Sequence, residues 1–193
     1  MRAFLIVVFC VAVSVVAWGL FVGRWSVNAR QARAIHAADA DVHPLMRIPV
    51  PWVFMLAYVA ALALQLVAPV VIPQSSAFMI RITGAVLLAI GLLLALSALG
   101  LFRGKSTTTV PFETPSTLVT SGPYRFTRNP MYVGLSLIYL GVEGTRLEVW
   151  PAIALPLVLL YVNFLVIPAE ESRLRAAFGE PYVKYQELVG RWL

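Results

Sequence analysis

Four long apolar runs decide what this chain can fold into. Residues 3–23 are 21 positions without a charge, and residues 50–72, 78–102 and 150–167 follow, with Arg81 the only charge inside them. A helix rises about 1.5 Å per residue, so roughly 20 apolar residues cross a hydrocarbon core about 30 Å thick. The first run exceeds the roughly 7–15 apolar residues of a signal peptide, and no clear small-x-small cleavage site follows it. It is expected to be an uncleaved first span. Composition agrees: 60% of the 193 residues are hydrophobic and 12% are charged, against about 25% charged in a soluble domain.

A fifth segment, residues 130–146, is less regular. Its apolar part, residues 131–142, would form only about 18 Å of helix, and about 27 Å once extended through Glu143 and Arg146. The expectation is a crossing hairpin with residues 150–167, its charged tip at the far interface. Five crossings put the termini on opposite sides. Twelve of the fifteen Lys and Arg residues fall in the loop 24–49, the loop 103–128 and the segment after residue 167, leaving Arg2, Arg81 and Arg146 on the other side. Basic loops stay cytoplasmic, so the N-terminus is expected outside and the C-terminus inside, in a bacterial inner membrane. The fold expected is all-α integral membrane, with about five transmembrane helices and a C-terminal cytoplasmic helical segment. Residues 1–193 form one membrane domain, of which 1–72 hold the first two spans and a connector.

The formal charge of +6 does not indicate nucleic acid, because the basic residues are dispersed between apolar runs and form no stripe. Cys10 alone makes no intrachain disulfide and reads as a packing residue, and His36 and His43 lack further ligands at metal-site spacing. No metal is expected. Residues 27–40 are Ala-rich, with Ser26 as a possible N-cap, and read as a connector helix on the membrane surface. Gly84, Gly91 and Gly100 in the third run read as close-packing positions. Pro69, Pro151 and Pro156 start or bend their helices.

Two polar stretches carry the chemistry. The first reads LVTSGPYRFTRNPMYVG over residues 118–134. Asn129 followed by Pro130 is a helix start, with Asn as cap and Pro at the first position. The second reads EESRLRAAFGEPYVKY over residues 170–185, a helix continuing the last span, a Gly-Glu-Pro turn and a second short helix. Glu171 and Arg175 are spaced for an ion pair on one helix face. Tyr182, Tyr185 and Trp192 suit an interface.

Together, GPYxxxRxPxYxG and the double Glu with FGxxYxxY resemble the isoprenylcysteine carboxyl methyltransferase and phospholipid methyltransferase superfamily of integral membrane enzymes. The resemblance covers residues 100–193. It implies S-adenosylmethionine as methyl donor and a lipid-like acceptor at the cytoplasmic face. By motif position, Arg128, Asn129, Pro130, Tyr132 and Gly134 would line the cofactor pocket, with Glu170 and Glu171 on its amino-acid end or ribose. Arg173 and Asn129 become the candidate catalytic residues, and Arg173, Asn163 and Tyr182 the acceptor contacts. Where the eukaryotic pattern has His, this chain has Asn129, which hydrogen-bonds but does not titrate.

An acceptor carboxylate is ionised at pH 7 and needs no base, whereas an amine must lose a proton. Glu170 and Glu171 are the only candidate bases beside the motifs. The preferred reaction is therefore carboxyl O-methylation of an isoprenylcysteine-type acceptor; N-methylation of a phospholipid amine and S-methylation of a small thiol are alternatives. The loop 103–121 would serve as a lid, with Arg103 and Lys105 toward lipid phosphates. Related NADPH-dependent sterol reductases are longer than 193 residues. A non-enzymatic lipid-binding or transporter-like subunit would place its polar residues at the bilayer midplane, not at the ends of spans.

Overall fold

The computed structural model describes residues 49–70, 74–104 and 117–193, all within one compact unit, His43–Leu193. The expected first span, the connector helix, Cys10, His36, His43 and residues 105–116 of the expected lid lie outside the described residues.

Every regular element among the described residues is helical. Helix α1 is Val50–Val67 and α2 is Gln74–Gly104. A 3-10 turn, Gly122–Arg125, leads to α3, Pro130–Arg146. Helix α4, Val149–Tyr161, runs through a π-helical turn, Val162–Val166, into α5, Ile167–Phe178, and α6 is Glu180–Leu188. The π turn precedes Pro168, whose ring would clash with the carbonyl four residues back in a straight α-helix; the wider turn relieves that clash.

Among the described residues, three stretches are long and apolar enough to cross a membrane: Val50–Val67, Ser75–Leu101 and Val149–Phe178. They coincide with three of the sequence-predicted runs. Helix α3, expected as a fourth crossing in this region, has 17 residues, about 25 Å of helix. It is shorter than the other three, and its last turn carries Glu143 and Arg146 among the apolar positions. The outer surfaces of the long helices are apolar: Phe78, Met79, Leu93, Leu157, Leu160 and Phe164 are all exposed. That much uncovered apolar surface belongs against lipid tails.

Helices α2 and α3 pack with their backbones nearly touching. A Cβ added at Gly91 would lie 2.7 Å from the Ile138 nitrogen, and one at Gly141 would lie 2.5 Å from the Leu88 nitrogen. Gly84 meets Gly144 in the same way, and Gly134 meets Ala95. Small residues on both sides permit this approach, the usual device for joining helices in lipid. Gly84 and Gly91 are therefore packing sites as expected. Gly100 is not: nothing lies within 4 Å of where its Cβ would be, because the seam has ended before that turn.

The main core joins α1, α3 and the α4–α5 rod. Val50, Phe54, Tyr139, Leu155, Val158 and Val162 are buried together. Helices α3 and α4 form a tight hairpin. Leu147 takes a left-handed conformation (φ 61°) and its N–H closes on the Glu143 carbonyl at 2.7 Å. At this tip Arg146 pairs with Glu148 at 2.6 Å, and the Tyr58 hydroxyl of α1 donates to Glu148 at 2.9 Å. Val149–Phe178 spans 30 residues, about 45 Å, so its polar end beyond Pro168 outruns a hydrocarbon core about 30 Å thick.

Candidate functional site

The site begins at the turn that feeds α3. Gly122 has φ +62°, and a Cβ there would strike Leu101 Cδ1 at 2.6 Å. Glycine takes this conformation without strain, and any Cβ there would push the Leu101 side chain aside. The turn buries Tyr124 against Ala98 and Val119. Thr127, 1% exposed, then organises the start of the helix. Its Oγ1 accepts the Asn129 N–H at 3.1 Å and donates to the Arg191 carbonyl at 3.1 Å.

Asn129 does not cap α3 with its side chain, as its position before Pro130 suggested. Its backbone carbonyl opens the helix by accepting from Tyr132 and Val133. Its Nδ2 donates to the Arg191 carbonyl at 2.9 Å. The Arg128 N–H donates to the Gly190 carbonyl at 2.9 Å. The side chain is drawn away from the helix because the segment after α6 crosses directly over this turn.

The two adjacent glutamates of α5 have different surroundings. Glu170 accepts a 2.6 Å hydrogen bond from the Tyr132 hydroxyl of α3. Glu171 is 8% exposed. Its Oε1 lies 3.0 Å from Arg128 Nη1, and its two oxygens accept from Arg191 Nε and Nη2 at 3.0 and 2.7 Å. The expected Glu171–Arg175 pair does not form. Arg175 donates instead to Gln186 of α6 at 2.7 Å, because Glu171 points inward to Arg128 and Arg191 while Arg175 sits on the exposed face.

Tyrosines close the same region. The Tyr185 hydroxyl donates to the Tyr124 carbonyl at 2.7 Å, and the Tyr182 and Tyr185 rings lie 6.2 Å apart. Burial pushes the Tyr185 phenol up to about 12, and raises those of Tyr124 and Tyr182 as well. All three are neutral hydrogen-bonding phenols at physiological pH. Arg191 is raised too, first by its hydrogen bonds to Glu171.

Between these elements lies an open cleft with about 460 Å³ of empty space, part of it continuous with solvent. Arg128 and Asn129 from the first motif and Glu170 and Glu171 from the second line it, with Tyr124, Tyr182 and Tyr185. Thr117, Leu118 and Val119, the end of the expected lid loop, line it as well. Arg128 Nε and Nη1 are buried with no aligned hydrogen-bond partner among the described residues. The cleft thus sets a guanidinium with spare donors beside two carboxylates and several aromatic faces.

The remaining sequence-predicted residues fall elsewhere. Tyr132 reaches the cleft only through its bond to Glu170. Pro130 is buried at the helix start, and Gly134 lies in the α2–α3 seam. Arg173 is on α5 but outside the set that lines the cleft. Asn163, in the π turn, accepts a 2.9 Å hydrogen bond from Trp192 Nε1. Sequence reasoning missed Arg191 as the main partner of Glu171. Its only signal was a basic residue between Gly190 and Trp192, which the positive-inside count absorbed.

A family model described as Phospholipid methyltransferase matches residues 79–181, more than half of the chain. The match takes in the whole of the first motif and the double glutamate. No curated protein and no solved structure matches the chain.

Proposed function

The chain belongs to the phospholipid methyltransferase family, methyltransferases of lipid-like substrates, and on that premise we propose that its methyl donor is S-adenosylmethionine, bound in the cleft between the two motifs. The observation that carries this reading is that Arg128, Asn129, Glu170 and Glu171, far apart in sequence, line one cleft. We take the cleft to open on the cytoplasmic face, following the distribution of basic residues.

The residues suit such a donor. S-adenosylmethionine supplies an electrophilic methyl on a positively charged sulfonium, and carries an ammonium and a carboxylate at one end. Burial pushes the Glu170 carboxyl up to about 7, so it offers oxygen acceptors and, once ionised beside a cation, a negative charge, while the tyrosines offer aromatic faces. Arg128, which lines the cleft, suits the carboxylate, which guanidinium groups hold in a planar fork. Glu171 is already met by two guanidiniums, so its part is to hold Arg128 and Arg191 in place. Methyl transfer in line needs positioning more than covalent help from the protein. Arg173, on the next turn of α5, is the residue we assign to orienting an anionic acceptor, with Asn129, Asn163 and Tyr182 along its approach.

The preferred acceptor is a carboxylate of isoprenylcysteine type. Both Glu171 oxygens are already engaged by arginines, and a carboxylate acceptor requires no base. The second reading, N-methylation of a phospholipid amine, is favoured by the description of the matching family and would make Glu170 the base.

Membranes containing the protein, incubated with methyl-labelled S-adenosylmethionine, separate these readings. Base-labile label in a lipid fraction is the expected result. Base-stable label in phospholipid would establish the amine reading. No transfer, together with no binding of S-adenosylhomocysteine at millimolar concentration, would contradict the proposal altogether.

A further inference from the structure

The segment after α6 is bound to the site by contacts that neither motif predicts. Residues Gly190, Arg191 and Trp192 reach three separate parts of the fold. The Gly190 and Arg191 carbonyls accept from the Arg128 N–H, Asn129 Nδ2 and Thr127 Oγ1. The Arg191 guanidinium grips Glu171 with two hydrogen bonds. Trp192 donates to Asn163 and packs against the main core. Three of these bonds hold the side chains of Asn129 and Glu171, which line the cleft, and a fourth holds the backbone of Arg128, which also lines it.

We propose that Arg191 is a positioning residue of the methyl-transfer site. It fixes Glu171 through its side chain and Asn129 through its carbonyl, and so sets the spacing of the two walls of the cleft. This rests on the reading of the cleft as the S-adenosylmethionine site. The charge balance supports it. Arg128 and Arg191 meet at one buried carboxylate, and Arg128 also reaches the Tyr182 hydroxyl. Loss of Arg191 leaves Glu171 to Arg128 alone, at a contact of 3.0 Å that lacks hydrogen-bond alignment. Arg128 is then drawn onto Glu171 and its spare donors turn away from the ligand. The fork matters as well as the charge, because a lysine offers one point donor where the guanidinium offers two.

The role differs from a merely structural one in what it predicts. Trp192 anchors the segment to the core, so the backbone contacts at Thr127 and Asn129 survive a change at the Arg191 side chain. Stability should change little while ligand affinity changes more.

The test is a titration of the full-length protein in detergent with S-adenosylhomocysteine, on the wild type, Arg191→Ala and Arg191→Lys. Arg191→Ala is expected to weaken binding roughly tenfold, the weight of a charge-assisted hydrogen-bond pair. Arg191→Lys should recover only part of the loss. Added guanidinium ion should restore Arg191→Ala binding, and ammonium at the same concentration should not. In turnover assays the loss should appear in the KM for the donor more than in kcat. Equal affinity in wild type and Arg191→Ala overturns the inference while leaving the proposed function standing. Weakened binding that neither guanidinium nor Arg191→Lys recovers also overturns it, since it marks a structural defect. A wild type that does not bind S-adenosylhomocysteine overturns the reading of the cleft, and this inference with it.

Discussion

The two ends of α3 are built from the same residue types and do different things. At the start, Arg128, Glu170 and Glu171 line an open cleft, and Arg191 and Tyr132 hold the two glutamates from behind. At the far end, Arg146, Glu148 and Tyr58 close on one another across the hairpin tip. There the Trp150 indole donates to the Ala68 carbonyl at 2.7 Å, which ties the tip to the end of α1. Clustered charge is therefore a poor indicator of a site by itself. What separates the ends is whether charged groups from distant parts of the chain face a common space or only each other. At the tip the ion pair joins residues two apart in sequence, Tyr58 and Trp150 tie the turn to α1, and the Glu143 carboxyl is buried with no hydrogen-bond partner among the described residues. At the start, partners come from 20 to 64 positions away and border a cleft.

The seam between α2 and α3 should show the largest effect, because both ends depend on it. Gly141→Leu drives a side chain into the Leu88 backbone, 2.5–2.6 Å away, and should cost about 3 kcal/mol or more. Thermal unfolding in detergent should show a large fall in Tm, with ligand binding and tip stability lost together. A variant that kept its Tm would mean that the two ends are held independently.

Glu171→Ala comes next and should separate the ends. It leaves Arg128 and Arg191 partly buried without their common counterion, a loss of about 3 kcal/mol. S-adenosylhomocysteine affinity should drop about 100-fold in calorimetric titration. Glu148→Ala is the mirror experiment. It strands the Tyr58 hydroxyl and the Arg146 guanidinium and should cost about 2 kcal/mol of stability. Affinity for S-adenosylhomocysteine should be unchanged, and a comparable loss of affinity would erase the distinction between the ends. The smallest effect belongs to Tyr132→Phe, which removes one hydrogen bond to Glu170. It should weaken binding by about 1.5 kcal/mol, roughly tenfold, with Tm nearly unchanged.

The sequence made the three long helices legible because hydropathy is a property of continuous runs. Residues 50–72, 78–102 and 150–167 correspond to Val50–Val67, Ser75–Leu101 and the first part of Val149–Phe178. The meeting of Arg128 and Asn129 with Glu170 and Glu171 was also legible, through the resemblance of two motifs. The partners of those residues were not. Spacing rules see only neighbours on one helix, so Glu171 was matched with Arg175, while the real partner approaches from beyond α6. Asn129 carried a capping signature, but a competing acceptor, the Arg191 carbonyl, took its amide. The π turn at Val162–Val166 was hidden for a similar reason. Pro168 announces a fault in the helix without saying whether it will kink, end or widen. The glycine seam was half visible: Gly84 and Gly91 stood out within an apolar run, but of the glycines facing them only Gly134 drew notice, as a motif residue.

The central claim is that the open end of α3, and not its closed end, receives the methyl donor. Ultraviolet cross-linking of labelled S-adenosylmethionine to the purified protein, followed by peptide mapping, tests it directly. The account predicts label on peptides containing Tyr124–Tyr132 or Glu170–Tyr185, suppressed by excess S-adenosylhomocysteine. Competable label confined to the hairpin tip around Glu143–Trp150, or to α1, would contradict it.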